Sequence, residues 1–389
     1  MAFMSASLSD DQLLARLVAF DYISTRSNLP IADFLCDYLD GPGVRIVRRP
    51  SPDGSKVNVV AVVGPQSVET TRDGIVLSGH LDVVPANEPE WQSDPFTLTE
   101  RDGAYVARGA CDMKGFVSLA VNLARCMRQE ALTHPLVLIF TYDEECGTLG
   151  ARHLVETWEH AIPLPLHAIV GEPTCLQAVR LHKGHVTMRI LFRGLPAHTA
   201  YAHLGRNAIE PAARVILALG AVQERLRSLR SPASEFYPDS PGPTLNVGRI
   251  HGGDAVNVVP DLCELSFGVR ILPGMDVAAI LDSIRESVQA LPNLGDYTME
   301  VIARSPPLLL DESATIYRDV CNVIDQQKTA AVSYATDAGE LQALGLQCVI
   351  FGPGDIAVAH KPNEWLSMAE FQRARQLLEQ LIQIRCFGP

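Results

Sequence analysis

Residues 74–84, GIVLSGHLDVV, place two polar side chains at the end of a short apolar run. The aliphatic run Ile75–Ser78 predicts a strand buried within a sheet. His80 and Asp82 follow two residues apart and, in an extended segment, point to the same side. Such a pair can bind a metal through one residue while the other accepts the second N–H of the imidazole ring. A histidine after a strand is more often structural, so this pair needs support from the rest of the chain.

Further candidate ligands lie in the same context, at the ends of apolar strand-like segments or in turns beside them. They are Asp112, Glu144, Glu145, Glu172 and His360. Each has an ordinary interpretation when taken alone, such as a helix N-cap for Asp112. Their joint occurrence favours a metal site, in which oxygen ligands mixed with imidazole suit zinc, cobalt or manganese. Because Glu144 and Glu145 are adjacent and cannot share one extended face, one of them would bind metal while the other serves as a general base.

The order of predicted elements indicates two domains, as the length of 389 residues also favours. Strands such as Leu136–Tyr142 alternate with helices such as Lys114–Glu130, which is typical of an α/β domain with its site at the carboxyl ends of the strands. A later segment follows the order β-α-β-β-α-β, an antiparallel sheet with two helices on one face. We therefore expect a catalytic metal-binding domain formed by residues 1–181 and 305–389, and an inserted domain formed by residues 182–304.

Composition narrows the possible partners and the location. The formal net charge of −13 argues against nucleic acid or an anionic membrane as a partner. The nine cysteines form no CxxC pair, which argues against a disulfide framework and fits a reducing compartment. The N-terminal segment has no signal-like pattern, and no apolar run approaches about 18 residues. We therefore expect a cytoplasmic protein.

The motifs together resemble, in order from about residue 70 to residue 370, those of the dinuclear zinc aminoacylase/carboxypeptidase family. They include GHLDVVP, RGACDMKGF, DEECGTLGA, GEPT, HKGH, PAHTAYAHLGRNAIE, VRILPGMD and FGPGDIAVAHKPNEW. The resemblance leans towards the acetylornithine deacetylase branch through GEPTCLQAVRLHKGH and TLNVGRIHGGDA. It implies a zinc-exopeptidase-like catalytic domain of α/β/α layers, with an inserted ferredoxin-like (βαββαβ) dimerisation or lid domain.

The resemblance also implies roles for the candidate residues. It implies two divalent metal ions per subunit, zinc or alternatively cobalt, with Asp112 bridging them. The implied metal ligands are His80, Asp112, Glu145, Glu172 and His360. Glu144 would be the general base that takes a proton from a water between the metals, and Asp82 would orient His80. The family often has a cis peptide after the bridging aspartate, here between Asp112 and Met113.

Four further residues complete the implied site. His198 would stabilise the oxyanion and reach the site of a partner subunit, so the resemblance implies a homodimer formed through the inserted domain. Asn257 and Arg270 would hold the α-carboxylate of the substrate, although an arginine on an open sheet face is usually only solvated. Asp337, where a longer glutamate is frequent, would face the side chain of the substrate.

The implied activity is hydrolysis of a small N-acyl amino acid. The first expectation is N2-acetyl-L-ornithine, cleaved to L-ornithine and acetate for arginine biosynthesis. The alternatives at the same site are N-acetylcitrulline, N-succinyl-diaminopimelate, or a peptide substrate of a related metallo-dipeptidase or carboxypeptidase. An interpretation of a different class is a non-catalytic binding protein that has lost its metals.

Overall fold

The computed structural model describes residues 7–67, 71–158 and 162–388. Among these residues, no helix combines the length and the apolar character that crossing a lipid bilayer requires. The strands are β1 Val44–Pro50, β2 Val57–Val63, β3 Ile75–His80, β4 Thr99–Arg101, β5 Ala104–Val106, β6 Leu136–Thr141, β7 His167–Val170, β8 Val179–His182, β9 Gly184–Arg193, β10 Thr244–Gly252, β11 Leu262–Ile271, β12 Asp296–Ser305, β13 Leu308–Leu309, β14 Ala330–Val332, β15 Gln347–Ile350 and β16 Trp365–Ser367. The helices are α1 Asp10–Val18, α2 Leu29–Leu39, α3 Gly115–Met127, α4 Leu149–Thr157, α5 Ile209–Ser228, α6 Val277–Gln289, α7 Thr315–Ile324, α8 Ala338–Leu341 and α9 Met368–Cys386.

The chain forms two compact units. The first consists of Met1–Arg180, Leu310–Ala330 and Thr336–Pro389, and the second consists of Leu181–Leu309 and Ala331–Ala335. The second unit therefore takes in residues 181, 305–309 and 331–335, which lie outside the predicted insertion of residues 182–304. The assignment of catalytic and dimerisation roles to the two units stays a prediction.

The sheet of the first unit has the order β1-β2-β6-β3-β7-β15-β8. Strands β6, β3, β7 and β15 are parallel, whereas β2 and β1 on one side and β8 on the other pair in antiparallel orientation. The strands β2, β3, β6 and β7 are buried along their whole length, as their apolar sequences predict for strands covered on both faces. Parallel strands end at the same edge of a sheet, so the residues that follow β3, β6 and β7 lie close together.

Two parts of the first unit are not evident from apolar runs. Strand β1, with the sequence VRIVRRP, carries three arginines and is at most partly buried, as suits a strand at the edge of a sheet. A small sheet of order β16-β5-β4 is made of strands of only 3 residues each. Strands this short give no periodic pattern for sequence analysis to detect.

The second unit contains the predicted series β9-α5-β10-β11-α6-β12. Its antiparallel sheet has the order β10-β11-β9-β12. Alternate residues of β9 and β11 are buried and form one apolar core with residues of α5 and α6. The architecture confirms the predicted fold class, an α/β catalytic-type domain with an inserted ferredoxin-like domain.

Candidate metal centre

The candidate ligands of the first unit converge at the carboxyl ends of its parallel strands. His80 is the last residue of β3, and Glu172 follows two residues after β7. Glu144 and Glu145 form a short helical turn after β6. The topology of the sheet therefore positions these side chains, as the sequence analysis expects from strand ends.

Asp112 and His360 reach the same place from loops. Asp112 lies in the turn Ala110–Lys114, directly before helix α3. The turn is preceded by Gly109 with φ 80°, a left-handed conformation that glycine adopts without steric cost. The Asp112–Met113 peptide bond is cis, as the family resemblance implies. His360 lies in the loop between β15 and β16 and has a φ angle of 60°.

Two groups of donor atoms share one carboxylate. His80, Asp112 and Glu172 form the first group, and Asp112, Glu145 and His360 form the second, each with ligand atoms within 4.8 Å of one another. Nε2 of His80 lies 3.0 Å from Oδ1 of Asp112. Nε2 of His360 lies 3.2 Å from Oδ2 of Asp112 and 3.0 Å from Oε1 of Glu145. The two oxygens of Asp112 therefore face two different groups, the arrangement that a bridging ligand requires.

The electrostatics of these groups favour bound cations. Burial lowers the pKa of His80, but the hydrogen bond to Asp112 and the charge of Glu172 outweigh it and raise that pKa well above its usual value. Hydrogen bonds to Asp112 and Glu145 raise the pKa of His360 to about 10. Burial raises the pKa of Glu172 well above its usual range. Buried carboxylates are costly unless they are neutralised, so this set of imidazole and carboxylate donors fits a pair of divalent metals.

The carboxylate of Asp82 supports the turn that follows β6. Its Oδ1 accepts the N–H of Glu144 at 3.0 Å, and its Oδ2 accepts the N–H of Glu145 at 3.2 Å. The hydroxyl of Ser24 donates to Oδ2 at 2.8 Å. Nδ1 of His80 lies 2.9 Å from the carbonyl oxygen of Asp82 but 3.6 Å from its carboxylate. The hydrogen bond from Asp82 to His80 therefore uses the main-chain carbonyl, whereas the sequence analysis expected the side chain, and the Asp82 carboxylate accepts the N–H groups of the turn.

Glu144 belongs to neither group of candidate ligands. Its main chain is held by Asp82, and its side chain is partly buried beside the centre. Burial, followed by the negative charge of Glu172, raises the pKa of Glu144 well above its usual range. Glu144 thus lies beside two groups of candidate ligands and belongs to neither of them. This is the placement expected of a general base.

Asp337 is a buried carboxylate with one unsatisfied oxygen. The hydroxyl of Thr141 donates to Oδ2 at 2.5 Å, whereas Oδ1 is buried without a hydrogen-bond partner among the described residues. Burial raises the pKa of Asp337 to about 7, although the bond from Thr141 lowers it. The charge of Asp337 in turn raises the pKa values of Glu144 and Glu172. Asp337 thus acts electrostatically on the centre without belonging to either group.

The remaining predicted site residues lie in the second unit. His198 is exposed, and its Nδ1 accepts the N–H of Ala200 at 3.0 Å. The loops of His198 and Asn257 are joined, because the N–H of Thr199 donates to the carbonyl of Asn257 at 3.1 Å. Arg270 is partly buried on β11, opposite His185 of β9. The contribution of His198, Asn257 and Arg270 to substrate binding stays a prediction.

Sequence reasoning missed the residues that support the candidate ligands. Tyr22 donates its hydroxyl to Oδ1 of Asp143 at 2.8 Å, directly before the Glu144 turn, and Lys56 forms an ion pair with Asp143. Arg108 and Glu364 form a buried ion pair at 2.9 Å. Glu364 stands inside the motif AHKPNEW, but a single acidic residue in a loop gives no periodic signal. These contacts join segments that are distant in sequence, so spacing could not reveal them.

Comparison with known proteins shows the family to which this chain is similar. Residues 76–384 match the sequence profile of peptidase family M20/M25/M40. An acetylornithine deacetylase from Proteus mirabilis (strain HI4320) is 35% identical over 384 residues, covering 97% of this chain and 96% of the relative. One from Myxococcus xanthus is 35% identical over 382 residues, covering 96% and 97%.

Solved structures share the fold over nearly the whole chain. An M20 family metallo-carboxypeptidase from Sulfolobus solfataricus superposes with a TM-score of 0.80 at 17% identity, covering 97% of this chain and 99% of the other. A dinuclear metal binding peptidase of the M20 family from Bacillus subtilis has a TM-score of 0.66 at 15% identity, covering 98% of both chains. At these identities the likeness concerns the fold alone.

Proposed function

The chain belongs to peptidase family M20/M25/M40, and on that premise we propose that it removes the acetyl group from N2-acetyl-L-ornithine. The products would be L-ornithine and acetate, which would place the enzyme in arginine biosynthesis. The substrate is supported by the relatives described as acetylornithine deacetylases, at 35% identity over nearly the full chain. The observation that carries the hydrolytic chemistry is the carboxylate of Asp112 shared between two groups of ligands.

The residues present fit two divalent metals per subunit, for which we propose zinc, with cobalt as the alternative. His80 and Glu172 would hold one ion, Glu145 and His360 the other, and Asp112 both. The M20 peptidase from Bacillus subtilis described as dinuclear supports the number of ions. When bound, such a pair would lower the pKa of water towards neutrality and would polarise the amide carbonyl.

Residues of the chain itself would transfer the proton, support the proposed general base and stabilise the developing charge. Glu144 would take the proton of the attacking water and return it to the nitrogen of the leaving ornithine, because it stands beside the ligand groups without belonging to them. Asp82 would keep Glu144 in place through the N–H groups of the turn. His198 would donate to the oxyanion that develops on the carbonyl.

Substrate recognition is assigned to three further side chains. Arg270 and Asn257 would bind the α-carboxylate, for which a guanidinium fork is well suited. Asp337 would attract the side-chain ammonium of ornithine, since its Oδ1 is buried without a partner among the described residues. We also propose a homodimer formed through the second unit, in which His198 serves the site of the partner subunit.

Parallel assays of three substrates test this function. We expect zinc-loaded protein to release amine faster from N-acetyl-L-ornithine than from N-acetylcitrulline or N-succinyl-diaminopimelate. A preference for either of the others would contradict the proposed substrate but keep the family and the metal centre. Protein that takes up no zinc or cobalt would contradict the hydrolytic function and favour the alternative of a non-catalytic binding protein.

A further inference from the structure

Glu364 lies beneath the turn that carries Asp112, and its carboxylate is fully engaged there. The side chain is only 1% exposed. Oε1 accepts the N–H of Cys111 at 2.9 Å and the N–H of Asp112 at 3.0 Å. Oε2 accepts the N–H of Gly109 at 3.1 Å and Nη1 of Arg108 at 2.9 Å. One carboxylate thus holds three main-chain N–H groups within the four residues that end at Asp112.

The same residue joins two segments that contribute ligands. Glu364 stands four residues after His360, so its backbone belongs to the loop that supplies His360. Its main-chain carbonyl also accepts the N–H of Ala107 at 3.1 Å, three residues before the Asp112 turn begins. The position of Asp112 relative to His360 is therefore set partly by a direct connection between their loops.

Arg108 balances the buried charge of Glu364 and is itself fixed. Its Nη2 donates to the carbonyl of Pro85 at 3.2 Å, and its guanidinium lies 5.3 Å from the ring centre of Trp91. A buried ion pair contributes little net stability unless its remaining hydrogen-bonding groups are satisfied. Here the acceptor capacity of Glu364 is used on the turn, which points to positioning rather than to stability alone.

We propose that Glu364 is a positioning residue that holds the Asp112 carboxylate between the two ligand groups. It acts through the main chain of residues 109–112 and touches neither metal nor substrate. The inference rests on the proposed function, because it concerns the affinity of the protein for the metals proposed there. Some residues orient metal ligands by hydrogen bonds without binding the metal themselves. Their replacement typically lowers metal affinity or activity by about 10–100-fold.

The variant Glu364→Gln tests the proposal with little change in shape. A glutamine offers one oxygen and one NH₂ group, so its NH₂ must face either the N–H groups of residues 111 and 112 or those of Gly109 and Arg108. Donors that face donors cannot form hydrogen bonds, and that part of the turn would shift. Glu88→Gln is a matched control, because Glu88 lies 3.5 Å from the same Arg108 guanidinium and contacts none of the three main-chain N–H groups.

Zinc affinity is the decisive measurement, obtained by chelator competition on metal-free full-length protein. We expect Glu364→Gln to weaken binding at one or both sites by about 10–100-fold while its far-UV circular dichroism matches the wild type, and Glu88→Gln to bind like the wild type. Wild-type affinity at both sites in Glu364→Gln would overturn the proposal. So would an equal loss in Glu88→Gln, since that effect would come from Arg108 and not from the turn. Should the glutamine variant not fold, Glu364→Asp gives the same comparison, because it keeps the charge but is one methylene shorter.

The wild-type protein separates this inference from the function on which it rests. Wild-type protein that binds neither zinc nor cobalt contradicts the proposed function itself. Wild-type protein that binds two zinc ions, together with an unaltered Glu364→Gln variant, contradicts only the positioning role.

Discussion

Replacing Asp82 with asparagine tests whether its carboxylate supports Glu144, the proposed general base, or His80, a proposed metal ligand. In the structure, the two carboxylate oxygens accept the N–H groups of Glu144 and Glu145, and the His80 ring is bound by the carbonyl oxygen instead. Asparagine keeps the carbonyl of the main chain and one side-chain acceptor, but it turns the other acceptor into a donor. One N–H of the Glu144 turn therefore loses its partner, whereas the contact to His80 remains.

The size of the effect follows from that single unsatisfied group. A buried N–H left without an acceptor costs about 1–3 kcal/mol. If the cost appears as displacement of the general base in the transition state, kcat/KM falls by about 5–150-fold, since about 1.4 kcal/mol corresponds to a factor of ten. Ser24→Ala removes only the third hydrogen bond to the same carboxylate, and we expect a smaller loss than in Asp82→Asn, because both N–H groups of the turn keep their acceptors.

The assay is kcat/KM for N-acetyl-L-ornithine at several zinc concentrations, with bound zinc measured in parallel. We expect Asp82→Asn to bind zinc like the wild type and to stay slow at saturating zinc. Activity restored by added zinc would show that Asp82 acts through His80, which would refute the reasoning. An unchanged kcat/KM would refute it as well.

Three further predictions concern catalysis, pH dependence and packing. Glu144→Gln should lower kcat by about 10²–10⁴-fold with normal metal content, and near-normal turnover with zinc bound would contradict its role as the base. His182 is fully buried, and burial, followed by the charge of Arg270, lowers its pKa to about 4. Since the unfolded chain binds that proton near pH 6.5, the free energy of unfolding should rise with pH between about 4 and 6.5, by up to about 3 kcal/mol. Urea titrations should show this slope reduced in His182→Asn, and equal slopes would contradict the assignment. Gly171→Ala should destabilise the protein by about 1–3 kcal/mol or more, because a Cβ there would lie 2.0 Å from the ring of Phe116. Gly220→Ala, in a helix with nothing within 4 Å, should instead stabilise it by about 1 kcal/mol, and the same thermal melts measure both.

The sequence predicts most of the fold because its apolar runs are unambiguous. β2, β3 and β6 are short, aliphatic and buried throughout, and the alternation in β9 and β11 marks a sheet with one buried face. The edge strand β1 cannot be predicted from an apolar run, since its arginines are compatible with a loop as well as with an edge strand. The unit to which residues 331–335 belong could not be predicted either, because a segment of five residues is too short to show a sequence pattern.

The candidate ligands are predictable for the same reason, whereas their supports are not. Strand ends and glycine-flanked turns indicate where His80, Asp112 and Glu172 lie. The partners of Asp82 and of Glu364 depend on which oxygen faces which N–H group across 62 and 252 residues of sequence. Such contacts arise only when the chain is folded, so neither spacing nor residue type could indicate that the Asp82 carboxylate holds a turn rather than a ring.

The carboxylate of Asp112, shared between two groups of candidate ligands, would couple the binding of one metal ion to the binding of the other. An ion bound beside His80 would fix the orientation that the ion beside His360 requires, and the effect must be equal in the reverse direction. Losing either histidine leaves the other group its full set of candidate ligands, but losing Asp112 removes a ligand from both. Tolerance to substitution should therefore be uneven within the centre, with the aspartate the least replaceable of its members.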